Sequence, residues 1–299
     1  MNTLNIKENF PMRNFISFRT GGNARFFAEI SDEKELIFAK KFAQDKNIPL
    51  FLLGNGTNIL IADSGYNGFI IRLGKSFSYT TTKQENENLF LKTGAASLLG
   101  SVARKAADAG FGSIHMLSGI PGTIGGAVYM NAGAYNQEIA DATEYVKILN
   151  ENGEIQILEK KDCDFSYRSS LFQKTKDIIL EASLKLKQGN RDELEKEIAD
   201  AMKRRRESQP LDKPNAGSCF KRLDGYFPGK LIEEASLKGF QIGDAQVSEK
   251  HANFIVNLKN AKATDIAKVF KHVENVVFEK FGIQMKREVI FLGDFEGIL

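Results

Sequence analysis

Residues Ser118–Tyr135 read SGIPGTIGGAVYMNAGAY. Gly119, Gly122, Gly125, Gly126 and Gly133 share this stretch with Pro121, Thr123 and Asn131, and it contains no Lys, Arg, Asp or Glu. Glycines at such spacing let the backbone take positive φ and bring successive N–H groups against a ligand, which is how chains cradle phosphate or pyrophosphate. Side chains this small predict a loop rather than a packed helix. On glycine spacing alone two readings stand, a phosphate-binding loop and a set of tight turns beside a strand.

The surroundings add a second loop of the same character. A helix predicted over 95–109 and closed by Gly110 leads into the glycine stretch. Upstream, the apolar run Pro49–Leu53 reads as a buried strand that passes directly into Gly54-Asn55-Gly56-Thr57-Asn58. A strand followed by a glycine loop is a second candidate cradle. Further strands are expected at 69–73 and 89–93, on either side of a polar stretch at 83–88, and at 178–186. Asn152-Gly153 between 145–149 and 154–158 signals a hairpin. Two helices stand out elsewhere. One opens at Ser31 with acidic residues in its first turn, and the other covers 264–281, with Ile266, Val269, Phe270 and Val273 on one face and Gly282 as its stop. A last strand is expected at 289–292. Many strands with few helices imply an α+β fold.

Near residue 190 the composition turns to a charged helix, RDELEKEIADAMKRRRES, and a domain boundary is placed there. The resulting division is 1–70, 71–188 and 189–299, with the final strand free to return to the first unit. Arg204-Arg205-Arg206 reads as the solvated, dipole-favoured end of that helix.

The 299 residues carry 41 Lys and Arg against 38 Asp and Glu, a net charge of +3, which argues against a dedicated nucleic-acid binder. Cys163 and Cys219 form neither a disulfide framework nor a metal-ligand pattern, so no metal is expected and a reduced, cytoplasmic setting is. The opening MNTLNIKENF lacks an apolar export core, and no apolar run approaches the roughly 18 residues of a membrane span. His-Glu-x-x-His is absent, Gly225–Lys230 is too short for a P-loop, and neither glycine loop fits the Rossmann fingerprint. Two cradles still imply a long polyanionic ligand gripped from two sides. A dinucleotide held outside the Rossmann scheme is the natural candidate.

Three segments bring reactive side chains into loops: Ser166-Tyr167-Arg168-Ser169-Ser170, Asn215–Arg222 with Ser218 behind Gly217, and Glu288 ahead of the last strand. An arginine, a serine and a glutamate together can bind a carboxylate, stabilise an enolate and deliver a proton. Each also has a plain reading, as ion pair, turn hydroxyl or helix cap.

In combination the motifs are more specific. Arg19-Thr20-Gly21-Gly22, the Gly54–Asn58 loop, SGIPGTIGGAVYMNAGAY, Tyr167-Arg168-Ser169-Ser170, NAGSCFKR and AQVSEKHANFIVN follow one another in order over residues 12–293. The chain in this respect closely resembles the UDP-N-acetylenolpyruvoylglucosamine reductase (MurB) family of peptidoglycan synthesis, and its shorter branch, since no tyrosine-bearing insertion lies between Ser170 and Ile178. The resemblance implies the two-subdomain FAD-binding fold of the vanillyl-alcohol oxidase type plus a C-terminal α+β substrate domain. It implies non-covalent FAD against Gly54, Asn55, Gly56, Thr57 and Asn58 and against Ser118, Gly119, Pro121, Gly122, Thr123, Gly125 and Gly126. NADPH would be the co-substrate and UDP-N-acetylglucosamine enolpyruvate the partner, reduced by hydride at C3 and a proton from Ser218 at C2. Arg168 and Glu288 would stabilise the enolate, and a monomer is expected. Tyr167, Arg222, Lys230 and His251 are candidate substrate contacts. Two departures stand out: Gly54-Asn55-Gly56-Thr57-Asn58 where many members have Gly-Gly-Gly-Ser-Asn, and His251 where some have glutamine. An FAD oxidase of the same superfamily is the alternative enzyme, and a nucleotide- or RNA-binding module built on the basic triplet is the alternative outside enzymes.

Overall fold

The computed structural model describes residues 4–298. Strands β1 (Lys7–Pro11), β2 (Asn23–Ile30), β3 (Leu50–Leu52) and β5 (Tyr66–Leu73) form one sheet in the order β1-β2-β5-β3. Its β1–β2 pair is antiparallel and the other two pairs are parallel. Helix α1 (Glu33–Asp45) connects β2 to β3. It begins two residues after the expected Ser31, because Asp32 is the cap and accepts the Glu35 N–H at 2.8 Å. Leu36, Ala39 and Ala43 on α1 are buried with Phe26, Ala28, Phe69 and Ile71 of the sheet.

Strand β4 (Ile59–Ile61) leaves the first glycine loop, and β6 (Thr80–Glu85) and β7 (Asn88–Gly94) open a second sheet. That sheet is antiparallel throughout, in the order β11-β10-β12-β7-β6, with β10 at Thr143–Leu149, β11 at Ile155–Glu159 and β12 at Ile178–Lys187. Helices α2 (Leu99–Asp108), α3 (Ile124–Met130) and α4 (Ile139–Ala142) share its core, and the two-residue strands β8 (Gly133–Ala134) and β9 (Gln137–Glu138) lie between α3 and α4. Helix α2 starts later than the expected Ala95, because Leu98 is extended and bridges Thr123.

The expectation of loop throughout Ser118–Tyr135 is corrected here, since α3 occupies its middle. Thr123 caps that helix through its hydroxyl, and Ile124, Ala127 and Val128 supply a buried face. Gly125 and Gly126 weaken helix propensity but allow close packing: a Cβ on Gly125 would stand 3.0 Å from the Ala95 Cβ.

Helix α5 (Arg191–Ser208) crosses to the C-terminal region, which holds α6 (Pro228–Glu234), α7 (Ala263–Phe281) and a small antiparallel sheet of β13 (Gln241–Ile242), β14 (Ala245–Val247) and β15 (Ile255–Asn257). The chain then returns. Strand β16 (Ile290–Leu292) pairs in parallel with β4, Ile290 opposite Ile59. One continuous core joins Ile59, Leu60 and Ile61 to Phe220, Phe270 and Val273.

Candidate active site

A cleft of about 2000 Å³ runs between the two larger sheets and the C-terminal region. Both glycine loops wall it: Gly54 to Asn58 on one side, and Gly119, Pro121, Gly122, Thr123, Gly125 and Gly126 on the other. Ser118 lies outside its lining; its carbonyl faces α2, where a Cβ on Gly100 would meet it at 2.5 Å. The loops touch each other, since the Asn55 side-chain amide donates to the Pro121 carbonyl at 2.5 Å.

Among the described residues, no protein acceptor takes the backbone N–H groups of Gly54 to Asn58, or those of Gly122 and Thr123. Gly56 is buried and the others line the cleft, and successive backbone N–H groups left free of protein acceptors suit an anion-binding nest. Gly56 is buried at φ +66°, and a Cβ there would lie 1.9 Å from the Phe15 carbonyl oxygen. Only glycine fits that position.

Three distant segments meet further along the cleft. Ser166 and Ser169 exchange backbone hydrogen bonds at 3.1 and 3.0 Å across the tight turn Tyr167-Arg168. Arg168 sits at φ +52°, a left-handed conformation that costs a side-chain-bearing residue on the order of 1 kcal/mol or more. Its Nε donates to Glu288 Oε1 at 3.1 Å, Nη2 to the Gly133 carbonyl at 2.7 Å and Nη1 to the Asn131 carbonyl at 3.4 Å. Glu288 is set by pairing between its segment and the one carrying Ser218: Phe220 bridges Arg287, and the Glu288 N–H donates to the Cys219 carbonyl at 2.8 Å. Ser218 follows Gly217, whose φ is +76°, and lines the same cleft as Arg168 and Glu288.

Burial pushes the Glu288 carboxyl above its ordinary pKa, while Arg168 and Lys221 pull the other way. Lys221 escaped the sequence reading as a site residue although it stands in the quoted NAGSCFKR segment; its ammonium donates to the Arg168 carbonyl at 3.1 Å.

The four candidate substrate contacts all reach the cleft but differ in kind. The Tyr167 hydroxyl accepts the Arg222 N–H at 3.3 Å. Lys230 is exposed, 3.7 Å from Glu234. Burial holds His251 below its ordinary pKa, and its Nδ1 accepts the Asn253 N–H at 3.2 Å. An imidazole held this way is a neutral donor through Nε2, not a cation. The basic triplet is not wholly a solvated helix end. Arg204 and Arg205 line the cleft, and Arg205 donates to the Gly119 carbonyl at 2.5 Å and to the Gln209 side-chain oxygen at 3.2 Å.

Comparison with known proteins agrees with this layout. A family model described as FAD binding domain matches residues 24–159, and one described as UDP-N-acetylenolpyruvoylglucosamine reductase, C-terminal domain, matches residues 209–292. The reductase of that name from Caldanaerobacter subterraneus subsp. tengcongensis is 42% identical over 287 residues, 96% of this chain and 93% of that protein. The Staphylococcus carnosus reductase is 40% identical, covering 97% of this chain and 92% of its own length. The crystal structure of UDP-N-acetylenolpyruvylglucosamine reductase from Thermus caldophilus superposes with a TM-score of 0.82 at 30% identity, over 97% of this chain and all of that one.

The chain belongs to the MurB family. It is accordingly an FAD-dependent oxidoreductase, built from an FAD-binding part and a MurB C-terminal domain in an α+β fold. The nest of free N–H groups in its two glycine loops has the chemistry that the FAD pyrophosphate requires. Among the described residues no group of three or more His, Cys, Asp or Glu side chains could hold a metal ion, and no helix is long and apolar enough to cross a membrane.

Proposed function

We propose that this MurB family member uses NADPH to reduce UDP-N-acetylglucosamine enolpyruvate to UDP-N-acetylmuramate in the cytoplasm, with FAD held between the two glycine loops. The observation that carries the reading is the Arg168–Glu288 pair, 3.1 Å apart, in the same cleft as Ser218 and both loops. Held by the two loops, FAD would supply the redox chemistry, the transfer of a hydride from NADPH to the vinyl carbon C3 of the enolpyruvyl ether.

Arg168 meets the substrate carboxylate, where negative charge collects as C3 is reduced. Its protein partners occupy Nε and one hydrogen on each terminal nitrogen, so two donors remain for the substrate. Those partners also fix the guanidinium before substrate arrives, which is what makes an electrostatic site effective. Glu288, with its pKa raised by burial, keeps a proton to higher pH than a solvent-exposed glutamate and donates it in a hydrogen bond to the enolate. A fully ionised carboxylate would repel that charge. Ser218 protonates C2. A hydroxyl is a weak acid in water, but an enolate beside a positioned hydroxyl is a strong acceptor, and position supplies much of the rate.

The test is a visible spectrum of the purified protein taken anaerobically. Oxidised-flavin bands should bleach with NADPH and return on addition of UDP-N-acetylglucosamine enolpyruvate, with the lactyl ether as product. Flavin that reoxidises with oxygen and ignores that substrate would replace this reading with an oxidase.

A further inference from the structure

Above the reactive corner, large aromatic side chains stand in water at the cleft rim. Phe227 is 55% exposed and Tyr167 47%, and both line the cleft. Exposed aromatic rings grouped beside a cleft mark a binding surface rather than a packing defect. These two are held firmly. Leu223 and Tyr226 exchange backbone hydrogen bonds at 3.3 and 2.9 Å across Asp224-Gly225, and Gly225 takes the positive φ, +77°, that the turn needs. Phe227 follows at once and precedes Pro228, the first residue of α6. The Arg222 guanidinium lies over the Phe227 ring at 4.5 Å from its centroid, and the Arg222 N–H is bound to the Tyr167 hydroxyl. Tyr167 in turn lies under the Arg168 guanidinium at 5.0 Å.

We propose that Phe227, fixed by the Leu223–Tyr226 turn and backed by Arg222, is the stacking platform for the uracil ring of the nucleotide-sugar substrate. This deepens the function proposed above and rests on it. Arg222 covers one face of the ring, so its remaining exposure serves the cleft. Lys230, three residues further on and in the same lining, supplies a cation for a diphosphate. Phe227 and Ser218 line the same cleft, and Arg222, whose guanidinium lies over the Phe227 ring, is four residues from Ser218.

The experiment titrates the FAD-loaded, full-length protein with UDP, followed by calorimetry, and with inorganic pyrophosphate as a probe that has no base. Phe227→Ala should weaken UDP binding on the order of ten-fold or more and leave pyrophosphate binding as in the wild type, because stacking on an aromatic ring is lost and the charges are kept. Phe227→Tyr should restore UDP affinity, and Arg222→Ala should lower it in part. Unchanged UDP affinity in Phe227→Ala overturns the proposal. So does a loss confined to NADPH saturation, which would give the platform to the other nucleotide. Wild-type protein that NADPH reduces but UDP does not bind would instead remove the substrate reading, and the platform with it.

Discussion

The two halves of the cleft are built from different materials. The cradle is backbone: free N–H groups from Gly54 to Asn58 and at Gly122 and Thr123, drawn together by Asn55 on Pro121. The proposed reactive corner is side chain: Arg168, Ser218 and Glu288, delivered by three segments far apart in sequence. A backbone site is indifferent to most side chains but intolerant of an added Cβ at close approach. A side-chain site is the reverse. Substitutions of similar size should therefore separate the halves, one set acting on cofactor retention and the other on turnover.

The largest effect is expected at Ser218. Ser218→Ala should slow reoxidation of reduced flavin by the enolpyruvyl substrate roughly 10²- to 10⁴-fold, the usual worth of a positioned proton donor, while reduction by NADPH stays near the wild-type rate in stopped flow. Equal slowing of both steps would erase the division between the halves. Next comes Arg168→Lys, which keeps the charge but loses the fork. The same half-reaction should fall on the order of 10²-fold with FAD retained.

On the other side of the comparison, Gly56→Ala forces a Cβ to 1.9 Å from the Phe15 carbonyl at a left-handed φ. It should cost about 2 kcal/mol or more and release FAD, read as a lower Tm and loss of the yellow colour on gel filtration. Gly122→Ala sharpens the point. Its Cβ would meet only Ile120 Cγ2, at 4.0 Å, and its φ is not left-handed, so the Tm of the FAD-free protein should hold. FAD affinity should drop about ten-fold, equivalent to about 1.4 kcal/mol, because the methyl group intrudes on the cleft.

The smallest effect is a pH limb. With the Glu288 pKa raised by burial, its protonated form persists above the ordinary carboxylate range and is lost as pH climbs through the raised value. The enolpyruvyl half-reaction should decline along that limb, and Glu288→Gln should flatten it at a lower plateau. A limb unchanged in Glu288→Gln would assign the titration to another group.

The same contrast governs what was legible in the sequence. A backbone cradle writes itself in glycine, so both loops could be seen from spacing. A side-chain corner has no spacing of its own. Arg168 and Glu288 stand 120 positions apart; residue type alone grouped them with Ser218 but left each a plain reading, and the resemblance to MurB proteins was what favoured the site reading. Elements failed where local signals conflicted. The polar stretch at 83–88 conceals the end of strand β6 and its turn into β7, because every residue of β6 is exposed and shows no apolar alternation. Helix α3 hides behind two glycines, although Thr123 and the Ile124–Val128 pattern were there to find. Arg204 and Arg205 look like a solvated helix end until α5 is placed against Gly119. Tertiary position, absent from a local reading, decides such cases.

The return of β16 to β4 has a consequence for synthesis of the chain. Asn58, the last residue of the first glycine loop, receives the Ile290 N–H on its carbonyl at 3.0 Å, and its side-chain amide donates to the Glu288 carbonyl at 3.0 Å. The loop is therefore braced by residues translated 230 positions after it. A nascent chain halted after α7 carries every glycine of the cradle without the strand that holds one wall in register, so the bracing of that loop waits for β16 and does not come with the segment that carries the glycines.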